Sequence, residues 1–210
     1  MSDTSKLESF TIEEGTWLVK TARRAAEAYV TTGERIPVPT DTPSLAKQKM
    51  GVFVTIKSYP KDELRGCIGR PEPNQPLVEA LIDSAIDSAT RDPRFEPINA
   101  KELQESIFEV SVLSPPVPVQ VKNPLEYKSK IVIGRDGLIV EWSYGAGLLL
   151  PQVAVEEGWD IETYLSYACM KAGAHPDYWL IDKVRILSFQ AIIFYEATPR
   201  GDVRQRFLAK

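Results

Sequence analysis

The feature that most constrains the fold is the spacing of the stretches rich in β-branched residues. They are GVFVTIKSY (51–59), IFEVSVLS (107–114), KIVIG (130–134), LIVEW (138–142) and VRILSFQAIIFYEA (184–197). No regular alternation of strand and helix joins them, so a parallel doubly wound sheet is excluded. Arg135-Asp136-Gly137 between KIVIG and LIVEW has the form of a hairpin turn, and the last stretch reads as one long buried strand. The expected class is α+β, with a mainly antiparallel sheet flanked by helices.

Helix signals fall between the strands. Thr11-Ile12-Glu13-Glu14 has the form of a capping box, and Leu18, Ala22, Ala25 and Tyr29 share the face that follows. Pro76 suits a helix start, with Val78, Ile82, Ala85 and Ala89 as its apolar stripe. Asn99 caps a short helix, and Asp160 caps one that carries Ile161, Leu165, Ala168 and Ala172. The proline-rich PPVPVQVKNP is the best boundary in the chain. It suggests a smaller lobe at about 116–158 within a single domain spanning 1–210.

Charge and residue counts narrow the function. A net charge of −4 disfavours general nucleic-acid binding, which calls for a basic excess. One histidine and two cysteines cannot assemble a Cys/His zinc site, and no metal or cofactor is implied. The N-terminus lacks a signal-peptide pattern, and no apolar run reaches the length of a membrane span. With so few cysteines, the expectation is a cytoplasmic protein.

The candidate chemistry centres on Leu64-Arg65-Gly66-Cys67-Ile68-Gly69. Read as a loop, it offers Gly66 and Gly69 for unusual backbone angles and successive amides for an anion nest. Arg65 would favour a thiolate at Cys67. The plainer reading makes Cys67 a small filler beside a turn. Glu109 and Ser111 lie on one face of their strand among apolar residues and need a partner, solvent or a site. Asp92 and Arg94 in RDPRF pose the same choice, and Arg94 could pair with a carboxylate such as Glu109. Gln152, after Pro151, is a polar group entering an apolar segment. His175 reads as a solvated loop residue and Cys169 as a buried structural thiol.

Taken together, LRGCIG (64–69), DPRF (92–95), EVSVLSP (109–115), LLLPQVA (148–154) and CMKAG (169–173) resemble the AMMECR-type domain family. The resemblance spans most of the chain. It implies two unequal lobes, an antiparallel sheet flanked by helices, and the Arg-Gly-Cys segment at a cleft. It supplies no established reaction, so whether the protein is an enzyme stays open. The family's association with Memo-like and radical-SAM proteins implies a place in a modification pathway. The chain itself has no Cys-x3-Cys-x2-Cys motif.

The favoured expectation is a cleft for a small polar or anionic ligand. Arg65, Gly66, Gly69, Asp92, Arg94, Ser111 and Gln152 would line it, with Cys67 as nucleophile or carrier and Glu109 as base. The rival is a non-catalytic interaction module.

Overall fold

The computed structural model describes residues 5–181 and 183–207. The chain divides into two units: a larger one from Ser5–Leu113 with Ile192–Arg206, and a smaller one built on Ser114–Ala191. The stretch 116–158 falls inside the smaller unit, which runs on past it.

The larger unit opens with a short helix α1 (Ser5–Glu8) and a long helix α2 (Ile12–Thr32). Both halves of the Thr11–Glu14 capping box form, so two otherwise unpaired amides at the helix start are satisfied. Gly33 ends α2 in the left-handed region, φ 75°, with its N–H on the Tyr29 carbonyl. Strands β1 (Gly51–Ser58) and β2 (Leu64–Arg70) form a hairpin, followed by α3 (Leu77–Thr90), α4 (Ala100–Gln104) and β3 (Ser106–Leu113). Asn99 caps α4 through its side chain, and Glu102 closes a second capping box.

The chain then enters the smaller unit: β4 (Val117–Pro118), α5 (Tyr127–Lys130), β5 (Gly137–Trp142), β6 (Gly145–Leu149), α6 (Pro151–Glu156), α7 (Ile161–Lys171) and β7 (Arg185–Phe189). It returns to the larger unit through β8 (Ala191–Glu196) and β9 (Val203–Arg206).

The larger unit holds a five-stranded sheet in the order β2-β1-β3-β8-β9. Its pairings β1–β2, β1–β3 and β8–β9 are antiparallel. Side chains alternate across a strand, so Val52, Val54 and Ile56 of β1 and Phe108, Val110 and Val112 of β3 share one face. They pack with Leu18, Ala22 and Ala25 of α2 and Val78, Ile82, Ala85 and Ala89 of α3 into one core. Both helical stripes are those expected from periodicity, with Tyr29 only partly buried against the core.

A buried ion pair joins helix to sheet. Arg23 of α2 donates to Glu196 of β8, and to the carbonyls of Leu103 and Ser106.

The smaller unit holds a four-stranded antiparallel sheet, β4-β7-β5-β6, whose core includes Leu138, Val140, Tyr164, Leu165, Ala168, Cys169 and Ile186. Two expectations fail here. KIVIG forms no strand, and the hairpin is β5–β6 instead. Asp136 explains why: its buried carboxylate accepts from Val132 N–H and from the Arg135 side chain, which curls the chain before β5. The expected long strand at 184–197 is broken at Gln190 into β7 and β8, one in each sheet. Gln190 and Ser114 exchange hydrogen bonds of 2.9 Å, so the incoming and outgoing chains are tied to each other at the break.

Candidate thiol site on the edge strand

LRGCIG is a strand and not a loop. All six residues lie in β2, at the edge of the five-stranded sheet. This corrects the anion-nest reading of Gly66 and Gly69. Gly66 is aligned with Ile56, the Cys67 N–H donates to the Asp92 carboxylate (2.8 Å), and the Ile68 N–H donates to Ser88 Oγ (2.8 Å).

The glycines serve close approach. A Cβ on Gly66 would stand 2.0 Å from the Ser88 carbonyl oxygen of α3, and one on Gly69 would stand 2.3 Å from the Phe53 ring. Helix α3 therefore lies directly on β2. From there the Ser88 hydroxyl bridges the hairpin, accepting from Ile68 and donating to the Val54 carbonyl (2.7 Å).

The opposite face of the sheet carries a polar row. Cys67 of β2 is the cross-strand partner of Thr55 of β1, and Thr55 is the partner of Glu109 of β3. The Thr55 hydroxyl donates to Cys67 Sγ at 3.3 Å. Glu109 is buried, and its Oε2 lies 2.9 Å from Arg206 Nη2, supplied by β9. Arg206 also lies over the Tyr195 ring, 4.8 Å from its centroid. The row thus runs from thiol to hydroxyl to carboxylate to guanidinium.

The outer edge of β2 is held by the turn after α3. Asp92 is buried and takes four donors: the Cys67 N–H, the Arg94 N–H, and Arg94 Nε and Nη2. Arg94 Nη2 reaches back to the Cys67 carbonyl at 3.3 Å. Both outward backbone groups of Cys67 are therefore occupied, which protects an edge strand from pairing with another chain. The Arg94 hydrogen bond is the main reason the Asp92 carboxyl is lowered to about 2, with the Cys67 amide adding to it.

Burial pushes the Cys67 thiol above the ordinary thiol range. The Thr55 hydrogen bond and the Arg94 charge work against this shift, and the Glu109 and Asp92 charges add to it. The net effect disfavours the thiolate. Arg65 does not serve it, since that guanidinium pairs with Glu102 of α4 through Nε (3.1 Å).

Asp92 and Arg94 thus hold the outer edge of β2 at Cys67, while Glu109 lies two strands away on β3, paired with Arg206. Ser111 follows Glu109 on the same strand face and is buried. Gln152 belongs to the smaller unit, buried in the first turn of α6. His175 is exposed there, with its Nδ1 accepting from the Asp177 N–H. Cys169 is fully buried on α7, and burial raises its thiol to about 11.

Sequence reasoning missed Thr55, Ser88 and Arg206. Thr55 was open to discovery as a hydroxyl between Phe53 and Lys57 on the face opposite the core. Arg206 carried no such signal, because strand order brings it in. Among the described residues no group of three His, Cys, Asp or Glu side chains could hold a metal ion, and no helix is long and apolar enough to cross a membrane.

These features define a class: an α+β protein with two antiparallel sheets, whose edge strand carries a cysteine with its outward backbone groups held by a buried aspartate and a half-exposed arginine. The chain belongs to the AMMECR1 family, whose profile matches residues 19–194. It is 53% identical to a protein of Thermofilum pendens, over 93% of this chain and 96% of that one. It is 52% identical to protein MK0488 of Methanopyrus kandleri, over 97% of this chain and 98% of the relative. The crystal structure of the uncharacterized protein PH0010 from Pyrococcus horikoshii superposes with a TM-score of 0.90. It shares 50% identity and covers 93% of this chain and 98% of its own.

Proposed function

We propose that the protein acts through Cys67, at a site for a small polar or anionic ligand on the larger unit. The observation that carries this reading is the cross-strand row of Cys67, Thr55 and Glu109. A carboxylate and a hydroxyl on a buried sheet face are costly to keep, and an apolar pair would pack there more simply.

In this reading the Thr55 hydroxyl, which donates to Cys67 Sγ, turns toward Glu109, its cross-strand neighbour; it then accepts the thiol proton as it gives its own to the carboxylate. Arg94, half-exposed beside the Cys67 carbonyl, meets the negative charge of the ligand. Cys67 then serves as nucleophile or covalent carrier. A place in a modification pathway with Memo-like and radical-SAM partners belongs to the same proposal.

Two observations favour a second reading, a non-catalytic interaction module. The thiol is raised rather than lowered, and Asp92 and Arg94 already use both outward backbone groups of Cys67.

Alkylation by iodoacetamide separates the two. The site reading expects Cys67 in the native protein to label faster than Cys169, with a rate that climbs above neutral pH as thiolate forms. Glu109→Gln should shift that pH profile. If both thiols label only in denaturant, the thiol site is abandoned and the module reading stands.

A further inference from the structure

The five-stranded sheet ends on β2 at one side and β9 at the other, and the two edges are finished differently. At β2 the outward backbone groups of Cys67 are taken by Asp92 and Arg94. At β9 no such cover exists among the described residues. The Ala197 N–H donates to the Asp202 carbonyl at 2.9 Å, which fixes the bonded pairs of the β8–β9 ladder. In steps of two from there, Arg204 bonds with Tyr195 and Arg206 with Ile193. The N–H and C=O groups of Val203 and Gln205 therefore point away from β8. Neither residue makes a further hydrogen bond among the described residues. The strand has no proline and a regular register, and its Arg204 is exposed. It is an open edge, of the kind that can take another strand.

The charges around it have one sign in excess. Arg204 on β9, and Lys20 and Arg24 on α2, which packs against β9, are exposed and form no ion pair among the described residues. The acids nearby are mostly engaged. Glu27 pairs with Arg23 and Arg200, Glu196 with Arg23, and Glu109 with Arg206. Glu13 and Glu14 are drawn onto the Thr11 cap. Asp202, just before β9, is exposed and opposes the three cations.

Those charges choose the occupant. A second copy pairing through β9 would set Arg204 across from Arg204 or Arg206 of the other copy in the registers that overlap most of the strand. Like charges directly opposite destabilise a sheet. A strand that carries carboxylates meets no such penalty.

We propose that the outer edge of β9 docks an extended acidic segment of a partner protein, which joins the sheet as a sixth strand. Its backbone bonds with Val203 and Gln205, one carboxylate pairs with Arg204, and others lie in the field of Lys20 and Arg24. This edge lies across the sheet from Cys67, so the proposal does not rest on the thiol reading.

Fluorescence anisotropy on the full chain tests this, with a short labelled peptide in which glutamate alternates with valine. The controls are the same peptide with lysine for glutamate, and one N-methylated along its backbone. The glutamate peptide should bind, more weakly as salt rises, and neither control should. Arg204→Glu should weaken binding by about tenfold, because like charges then face each other. Gln205→Pro removes an outward N–H and no β8–β9 bond, so it should abolish binding by a protein that still melts cooperatively. If that variant unfolds, Arg204→Glu and the N-methylated peptide still decide. Cys67→Ala should leave the affinity unchanged. The proposal is overturned if the glutamate peptide does not bind, if either control binds as tightly, if Arg204→Glu or a folded Gln205→Pro keeps full affinity, or if Cys67→Ala abolishes binding. It also falls if light scattering finds a dimer that Gln205→Pro dissolves, since a second copy then holds the edge. Binding that occurs only after residues 208–210 are deleted would overturn it too, since the chain's own end then holds the edge.

Discussion

The two cysteines stand in opposite surroundings. Cys169 lies on α7 of the smaller unit, wholly enclosed by a core that includes Tyr164, Leu165 and Trp179. Cys67 lies on an edge strand of the larger unit, with Thr55 on its sulfur and Asp92 and Arg94 on its backbone. Burial raises both thiols; around Cys169 only a Trp179 backbone hydrogen bond and the Asp177 charge act beside it, whereas around Cys67 a hydroxyl and the charges of Arg94, Glu109 and Asp92 take part. Packing alone accounts for Cys169. For Cys67 the same apolar filler role would need none of the polar groups that surround it.

The difference can be broken most forcefully at Gly66. Gly66→Ala puts a methyl against the Ser88 carbonyl, and neither α3 nor β2 can retreat without opening the core. The expected loss is about 3 kcal/mol, read from urea unfolding. An unchanged midpoint would mean that α3 does not lie against β2 as described.

Next comes Asp92→Ala, which strips the acceptor from the Cys67 amide and leaves Arg94 without its partner. Arg94 is half-exposed, so water recovers part of the loss, and about 2 kcal/mol is expected at neutral pH. The pH dependence follows from the lowered carboxyl, from 3.8 to about 2. A folded-state value below the unfolded one means that the stabilisation is complete above the unfolded value. It disappears as pH falls from about 4 through about 2, and amounts to about 2 kcal/mol. Acid unfolding of the Asp92→Ala variant should accordingly lack this component. Parallel acid curves for the two proteins would contradict the Asp92 geometry.

The cysteines themselves give the smaller effects. Cys169→Ala leaves a void in a closed core and should cost about 1 kcal/mol. Cys67→Ala removes a half-buried side chain from a sheet edge and should stay within about 0.5 kcal/mol of the wild type in a thermal melt. A larger loss for Cys67 than for Cys169 would reverse the comparison and make Cys67 the packed filler.

What was legible beforehand was local. The capping box at Thr11, the Asn99 and Asp160 caps and the apolar stripes of α2 and α3 all formed as their spacing indicated. Each depends on residues within a turn or two of one another, so the chain alone carries the information. RGCIG was harder, because glycine permits a turn and equally permits a helix to lie against a strand. Which of these it did depended on α3, some twenty residues away. KIVIG had strand-like residues, yet Asp136 drew its backbone into a turn.

The α+β class was accessible from the order of strand and helix signals along the chain, and the family from the motifs that resemble it, LRGCIG above all. The site was accessible only as a set of unconnected residues: Cys67, Asp92, Arg94 and Glu109. Strand order and register decided the rest. They set Thr55 between Cys67 and Glu109, brought Arg206 from the far end of the chain to Glu109, and turned Arg65 toward Glu102 instead of the thiol. Pairing between strands depends on which backbones meet after the core closes, and a one-residue slip would send every one of these side chains to the other face. No short stretch of sequence contains that choice.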